Sequence, residues 1–132
     1  MGTASFRILL VDDFEPWRHF VASMLMTKPE LQVAGEASDG PEAVQKAVEL
    51  KPDLILLDIS LPTLNGIEAA RQILKLVPES KIIFLSQESS PEIIEEAMNV
   101  GASGYVVKMM AGTELLTAVE SVLLGGTFVS RN

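Results

Sequence analysis

Asp53-Leu54-Ile55-Leu56-Leu57-Asp58-Ile59-Ser60-Leu61-Pro62 is the stretch whose reading decides the fold. Its apolar core, Leu54 to Leu57, is continuous, not alternating, which is how a strand buried on both faces of a parallel sheet reads. An acid closes the run, and no helical pattern starts directly after it. Outward from this segment, similar runs occur at Phe6 to Val11, Lys81 to Leu85 and Tyr105 to Val107, while Leu31 to Ala37 alternates as an edge strand would. Between them the apolar residues fall at helical spacing. Trp17, Phe20, Val21, Met24 and Leu25 follow Pro16; Ala43, Val44, Ala47 and Val48 follow Gly40-Pro41; Ile67, Ala70, Ile73, Leu74 and Val77 follow Asn65-Gly66. Ile93, Ile94, Ala97 and Met98 follow Ser90-Pro91, and Leu115, Leu116, Val119, Val122 and Leu123 precede a Gly125-Gly126 stop. Five strands alternating with five helices imply a parallel sheet with right-handed crossovers and helices on both faces, a doubly wound α/β domain.

Length and composition fit one domain. The chain has 132 residues, 48% hydrophobic and 21% charged, enough apolar surface for a core and too much for disorder. We place the domain at 6–126, with residues 1–5 as an N-terminal tail and 127–132 as a C-terminal tail or the start of a linker. Eighteen acidic against ten basic side chains leave a formal charge of −8, which repels nucleic acid and anionic membranes, so no direct nucleic acid binding is expected. The chain has no cysteine and a single histidine, which excludes disulfides, thiolate catalysis and multi-His metal sites. No apolar run approaches a membrane span and the N-terminus is not a signal sequence, so a cytoplasmic protein with no membrane partner is expected. Met1-Gly2 does not extend to a myristoylation motif, because Phe6 stands where Ser or Thr is needed.

In open α/β sheets ligands bind beyond the carboxyl ends of the strands. Here those ends carry Asp12-Asp13, Asp58, Ser86 and Lys108. Singly, each has an ordinary reading: Asp12 or Asp13 as a helix cap, Ser86 as a turn hydroxyl, Lys108 as a solvated charge. Four strand ends with this chemistry together are far less expected under capping alone. Carboxylates in one crevice repel one another unless a cation neutralises them, and Mg²⁺, a hard ion that takes one or two carboxylates plus phosphate oxygens, suits the set. A phosphate can then approach, Asp58 can act as nucleophile toward phosphorus, Lys108 can supply positive charge opposite the metal, and Ser86 can donate to a phosphoryl oxygen. His19 falls opposite the first helix's apolar stripe and reads as a surface residue; Met24 and Met26 read as helix packing.

At this point the chain resembles a response-regulator receiver domain, the phosphoacceptor module of two-component signalling. The resemblance runs from about Phe6 to Phe128. It is carried by Leu9-Leu10-Val11-Asp12-Asp13, by Asp53 to Pro62 with Asn65-Gly66, by Phe84-Leu85-Ser86, and by Gly101-Ala102-Ser103-Gly104-Tyr105-Val106-Val107-Lys108. Gly35-Glu36-Ala37-Ser38-Asp39-Gly40 and the Gly125-Gly126 ending are similar to receivers of the NarL/FixJ type, which usually precede a LuxR-type DNA-binding domain. The resemblance implies a flavodoxin-like (CheY-like) five-stranded sheet in the order 2-1-3-4-5. It also implies phosphorylation of Asp58 by a sensor histidine kinase, with Mg²⁺ (Mn²⁺ as substitute) held by Asp13, Asp58 and the Ser60 main-chain carbonyl and by Asp12 through water. Ser86 matches the switch hydroxyl, Tyr105 the switch aromatic, and Lys108 the lysine of the site. Ser60 and Glu88 are expected to tune the lifetime of the acyl phosphate. Such a chain is a phosphorylation-dependent switch and not an enzyme acting on a separate substrate. Its output surface is the fourth helix, fifth strand and last helix, with homodimerisation on phosphorylation and a ring at Tyr105 that moves from solvent toward the core. The output itself is either an attached LuxR-type domain or, in a stand-alone regulator, protein contact. Met109-Met110 follow Lys108 where many receivers have proline, which affects the loop and not the site.

Three other functions fit less well. A haloacid-dehalogenase-like phosphohydrolase needs an acid two places after its nucleophile, and Ser60 stands there. A flavodoxin-like flavin carrier needs a first loop that cradles phosphate, which Asp12-Asp13-Phe14-Glu15 would repel. A scaffold that takes no phosphate would have no need of the complete Asp12, Asp13, Asp58, Ser86 and Lys108 set.

Overall fold

The computed structural model describes residues 5–130. Most of the N-terminal tail expected at 1–5, together with Arg131 and Asn132, lies outside the described residues. The elements alternate as β1 (Phe6–Val11), α1 (Glu15–Leu25), β2 (Leu31–Ala37), α2 (Gly40–Leu50), β3 (Leu54–Leu57) and α3 (Gly66–Leu76), followed by β4 (Lys81–Ser86), α4 (Pro91–Asn99), β5 (Gly104–Val107), α5 (Ala111–Leu123) and β6 (Phe128–Val129). All strand pairs are parallel, in the order β2-β1-β3-β4-β5-β6.

The continuous apolar runs became the central strands because alternate residues feed two separate cores. Leu9, Val11, Ile55, Leu57, Ile82, Phe84, Tyr105 and Val107 point to the face covered by α2, α3 and α4. Ile8, Leu10, Leu54, Leu56, Ile83, Leu85 and Val106 point to the face covered by α1 and α5. Each fully buried Leu or Ile stabilises by about 1.5–3 kcal/mol. A strand with one polar face could not serve both layers. The alternating Leu31 run is indeed at an edge.

The helix starts follow their punctuation. Asp39 accepts a hydrogen bond from the Glu42 N–H at 2.7 Å, Asn65 from Glu68 at 3.0 Å and Ser90 from Ile93 at 3.3 Å, so each satisfies a backbone donor that the helix leaves free. Asp39 is reinforced from the other side, where Glu42 accepts from the Ser38 N–H at 2.8 Å.

The structure corrects the strand count. The sheet has six strands, not five, because the segment after Gly125-Gly126 does not leave as a tail. Gly125 (φ 96°) turns the chain back, and Phe128–Val129 pair with Gly104–Tyr105. Two residues are too few to show a period, so this strand had no sequence signal of its own. Phe20, Met26 and Val48 are also exposed and not packed, at 45, 76 and 42%. Phe20 lies outside the core and stacks on Trp17 instead, with ring centroids 5.2 Å apart.

Candidate functional site

Register places the acidic residues together. β1 and β3 pair with Val11 opposite Leu57, so the next residues, Asp12 and Asp58, emerge side by side at the carboxyl edge. The backbone joins them, with the Asp58 N–H donating to the Val11 carbonyl at 3.0 Å. Asp12 and Asp58 are buried, whereas Asp13 is exposed, and one carboxylate oxygen from each lies within 4.8 Å of the other two.

Lys108 closes the cluster from the far side of the sheet. It follows β5 in a short 3-10 turn (Lys108–Met110), and its Nζ donates to Asp12 Oδ2 at 2.6 Å and to Asp58 Oδ2 at 3.5 Å. Asp58 also accepts weakly from the Ser60 N–H at 3.4 Å. Burial pushes the Asp58 carboxyl above the usual aspartate range; Lys108 opposes this, and the charge of Asp12 adds to it. The cluster therefore carries uncompensated negative charge that a small divalent cation with oxygen ligands would relieve, and its hard carboxylate oxygens fit Mg²⁺.

The helix-cap reading of the acidic pair is half right. Phe14 occupies the cap position of α1 without a side-chain hydrogen bond, and Asp12 Oδ1 instead accepts from the Phe14 N–H at 2.9 Å. Asp12 thus fixes the loop with one oxygen and holds Lys108 with the other.

Ser86 ends β4, with its side chain buried, and accepts from the Glu88 N–H at 3.1 Å. Tyr105, on the neighbouring strand, donates its hydroxyl to the Glu88 carbonyl at 2.7 Å. The expectation that the Tyr105 ring lies toward solvent is not met: the ring is fully buried and packs 6.2 Å from Phe84, centroid to centroid. It sits on an inner strand now that β6 covers β5. Burial pushes its phenol above the usual range, and the nearby Ser86 hydroxyl opposes this.

Several residues that the strand-end reasoning did not single out support the site. Trp17 turns its ring toward Lys108, whose Nζ lies 5.2 Å from the ring centroid. Arg18 donates to the Asp12 carbonyl at 2.5 Å and through Nε to Glu36 at 2.7 Å. Gly66 opens α3 against the phosphoacceptor candidate's own backbone, where a Cβ would come within 2.0 Å of the Asp58 carbonyl oxygen. Ser130 is buried; its hydroxyl accepts from the Val107 N–H at 3.0 Å and donates to Glu114 at 2.5 Å. Only Gly66 left a trace in the sequence, as half of Asn65-Gly66. His19 and Met109 are exposed, and neither joins the cluster.

Comparison with known proteins agrees with this geometry. Residues 8–120 match the response regulator receiver domain family. The chain is 34% identical over 123 residues to the transcriptional regulatory protein DegU of Brevibacillus brevis, covering 93% of this chain and 52% of DegU. It is 39% identical over 116 residues to the chemotaxis protein CheY of Thermotoga maritima, covering 88% of this chain and 96% of CheY. The crystal structure of a LuxR-family two-component response regulator from Aurantimonas sp. SI85-9A1 superposes with a TM-score of 0.91 at 33% identity, covering 95% of this chain and 89% of that one. The chain spans about half the length of DegU and nearly all of CheY. Four strand ends that carry Asp12-Asp13, Asp58, Ser86 and Lys108 to one edge of the sheet, and a match that covers most of the chain, thus lead to one conclusion: the chain belongs to the response regulator receiver domain family, in its NarL/FixJ-like subgroup.

Proposed function

We propose that this chain accepts a phosphoryl group on Asp58 from the phosphohistidine of a sensor kinase and passes the event on as a change of surface. The observation that carries the reading is the convergence of three carboxylates with an ammonium 3.5 Å from the Asp58 carboxylate. An Asp58 oxygen forms the new bond to phosphorus while the phosphorus–nitrogen bond breaks, the imidazole keeps the bonding electrons, and an acyl phosphate results. Lys108 stands where it neutralises the phosphoryl oxygens, and the Ser86 hydroxyl donates to one of them. Asp13, Asp58 and the Ser60 main-chain carbonyl, with Asp12 through water, would hold Mg²⁺; when bound, the ion supplies charge neutralisation for the incoming group, and Mn²⁺ can replace it.

Ser86 and Tyr105 are the coupling pair in this reading, because both rest on the backbone of Glu88. When Ser86 turns to the phosphoryl group it gives up the Glu88 N–H, so the loop that leads into α4 is released to move. Tyr105 is already inside, so the signal is a rearrangement of this loop and not an inward swing of the ring. Two states a few kcal/mol apart suffice for one such contact to shift the population. The α4-β5-α5 surface then carries homodimerisation or partner docking, with a LuxR-type domain as the output in a longer protein and direct protein contact as the output of a stand-alone regulator. Ser60 and Glu88 flank the acyl phosphate and set its lifetime. A cytoplasmic setting fits the reading, and no helix among the described residues is long and apolar enough to cross a membrane.

The test is phosphorylation with acetyl phosphate and Mg²⁺. Wild type is labelled at Asp58, chelator abolishes labelling, and Asp58→Asn takes none while it stays folded. Acid-stable labelling of the Asn variant would overturn the assignment.

A further inference from the structure

Lys108 is held from three sides, and only two of them are charged. Asp12 lies at 2.6 Å and Asp58 at 3.5 Å, and the face of Trp17 completes the enclosure at 5.2 Å. That distance is inside the roughly 6 Å over which an ammonium is attracted to an aromatic face, and an indole is the strongest such partner. We propose that Trp17 is a positioning residue for Lys108: its ring keeps the ammonium at the mouth of the site when the carboxylates no longer do. The proposal rests on the reading of Asp58 as the phosphoacceptor.

The reasoning is electrostatic. A divalent cation in the acidic cluster draws on the same oxygens that hold Lys108 and repels the ammonium directly, so the carboxylate tether weakens at the moment the lysine is needed. The attraction of the ring does not depend on those oxygens. Lys108 is largely enclosed, its side chain 14% exposed, yet together with Trp17, Phe14, Gln87, Ser89 and Met109 it already lines an open groove of about 680 Å³. Without the ring, an ammonium repelled from the cluster would turn into that groove, where water solvates it. Trp17 has a second task, since it also packs on the α1/α5 core. A leucine can perform that packing but offers no π face, and a phenylalanine offers both in weaker form. The two substitutions therefore separate positioning from packing.

The experiment uses the full chain as wild type, Trp17→Phe and Trp17→Leu, with acetyl phosphate as donor at saturating Mg²⁺ and intact-mass detection. Trp17→Leu should be phosphorylated about fivefold more slowly than wild type, and Trp17→Phe should recover to within about twofold, the scale of one partly desolvated cation–π contact. A merely structural role does not move the second readout: the proton shifts of the Lys108 ε-methylene, displaced upfield by the ring in wild type both with and without Mg²⁺, and at ordinary values in Trp17→Leu. Equal rates in wild type and Trp17→Leu overturn the proposal, as do equally slow rates in the two variants, which would assign the whole effect to packing. If wild type takes up no phosphate, the Asp58 reading falls on its own. The ε-methylene shifts then judge the positioning claim, and ordinary values in Mg²⁺-loaded wild type overturn it.

Discussion

Beside β1 and β3 the site is held by charge, whereas beside β4 and β5 it is held by hydroxyl hydrogen bonds. In the first half Asp12, Asp13 and Asp58 crowd together and are compensated from outside: Lys108 reaches over from β5, and Arg18 braces the Asp12 carbonyl at 2.5 Å while Glu36 holds Arg18 at 2.7 Å. In the second half the hydroxyls of Ser86, Tyr105 and Ser130 dominate, with the Glu114 carboxylate accepting from Ser130. Ser86, Tyr105 and Ser130 each spend their hydroxyl on a backbone group, of Glu88, Glu88 and Val107. The difference separates two tasks. A half with surplus charge is ready for a cation and a phosphoryl group without rebuilding. A half tied by hydroxyl–backbone bonds has a definite resting arrangement, and a Ser86 that rotates toward a new partner gives up its bond from the Glu88 N–H.

The contrast can be broken by experiment, and the largest effect lies in the hydroxyl half. Tyr105→Ala empties a fully buried site and should lower stability by about 3–5 kcal/mol in urea denaturation, while Tyr105→Phe, which loses only the bond to Glu88, should lose about 1 kcal/mol. Equal losses would mean that the hydroxyl and not the ring secures this half. Tyr105→Phe is for the same reason the cleaner probe of coupling.

In the charged half the effect has the opposite sign. The folded Asp58 carboxyl titrates above its unfolded value, so the native state binds its proton more tightly between those two values, and wild-type stability falls as pH rises through that window. Asp58→Asn lacks this titration. With chelator present its melting temperature should exceed that of wild type at neutral pH, and the advantage should shrink as pH falls through that window and level off below the ordinary aspartate range. An advantage that grows toward acid would show that Asp58 is stabilised by Lys108 more than it is penalised by burial. The smallest effect belongs to Ser130→Ala, which should lose about 1 kcal/mol and speed amide exchange at Val107. Unchanged exchange there would leave the backbone pairing of β6 as the sole support.

Much of this molecule was legible in its sequence because the signals were local and chemical. Leu54 to Leu57 announced a two-faced strand, and acids at strand ends announced a crevice, since the carboxyl edge of a parallel sheet gathers whatever follows each strand. What was not legible depends on the third dimension. Trp17 sits in the same helical stripe as Val21 and Leu25, and no period tells a ring that covers a core from one that also faces an ammonium. Tyr105 departs from the expected solvent-side ring: β5 is not the edge of the sheet, because β6, which begins two residues beyond a Gly-Gly stop, pairs with it. Arg18 looked like any helix-surface cation, and its partners, the Asp12 carbonyl and Glu36, lie in the loop after β1 and on β2.

The direction of β6 sets a mechanical relation. Because β6 runs parallel to β5, the chain reaches Ser130 travelling toward the edge that holds Lys108 and Asp58, and not away from it. Ser130 is fastened there twice, by its N–H to the Tyr105 carbonyl at 2.8 Å and by its hydroxyl to the Val107 N–H at 3.0 Å. Tension applied at Ser130 would load these bonds together, in shear along the strand, so they would resist as a set instead of unzipping singly. The same stiffness works in reverse. A displacement of β5 by a fraction of an ångström would be delivered at Ser130 with little slack, as a rod transmits motion and a flexible cord does not.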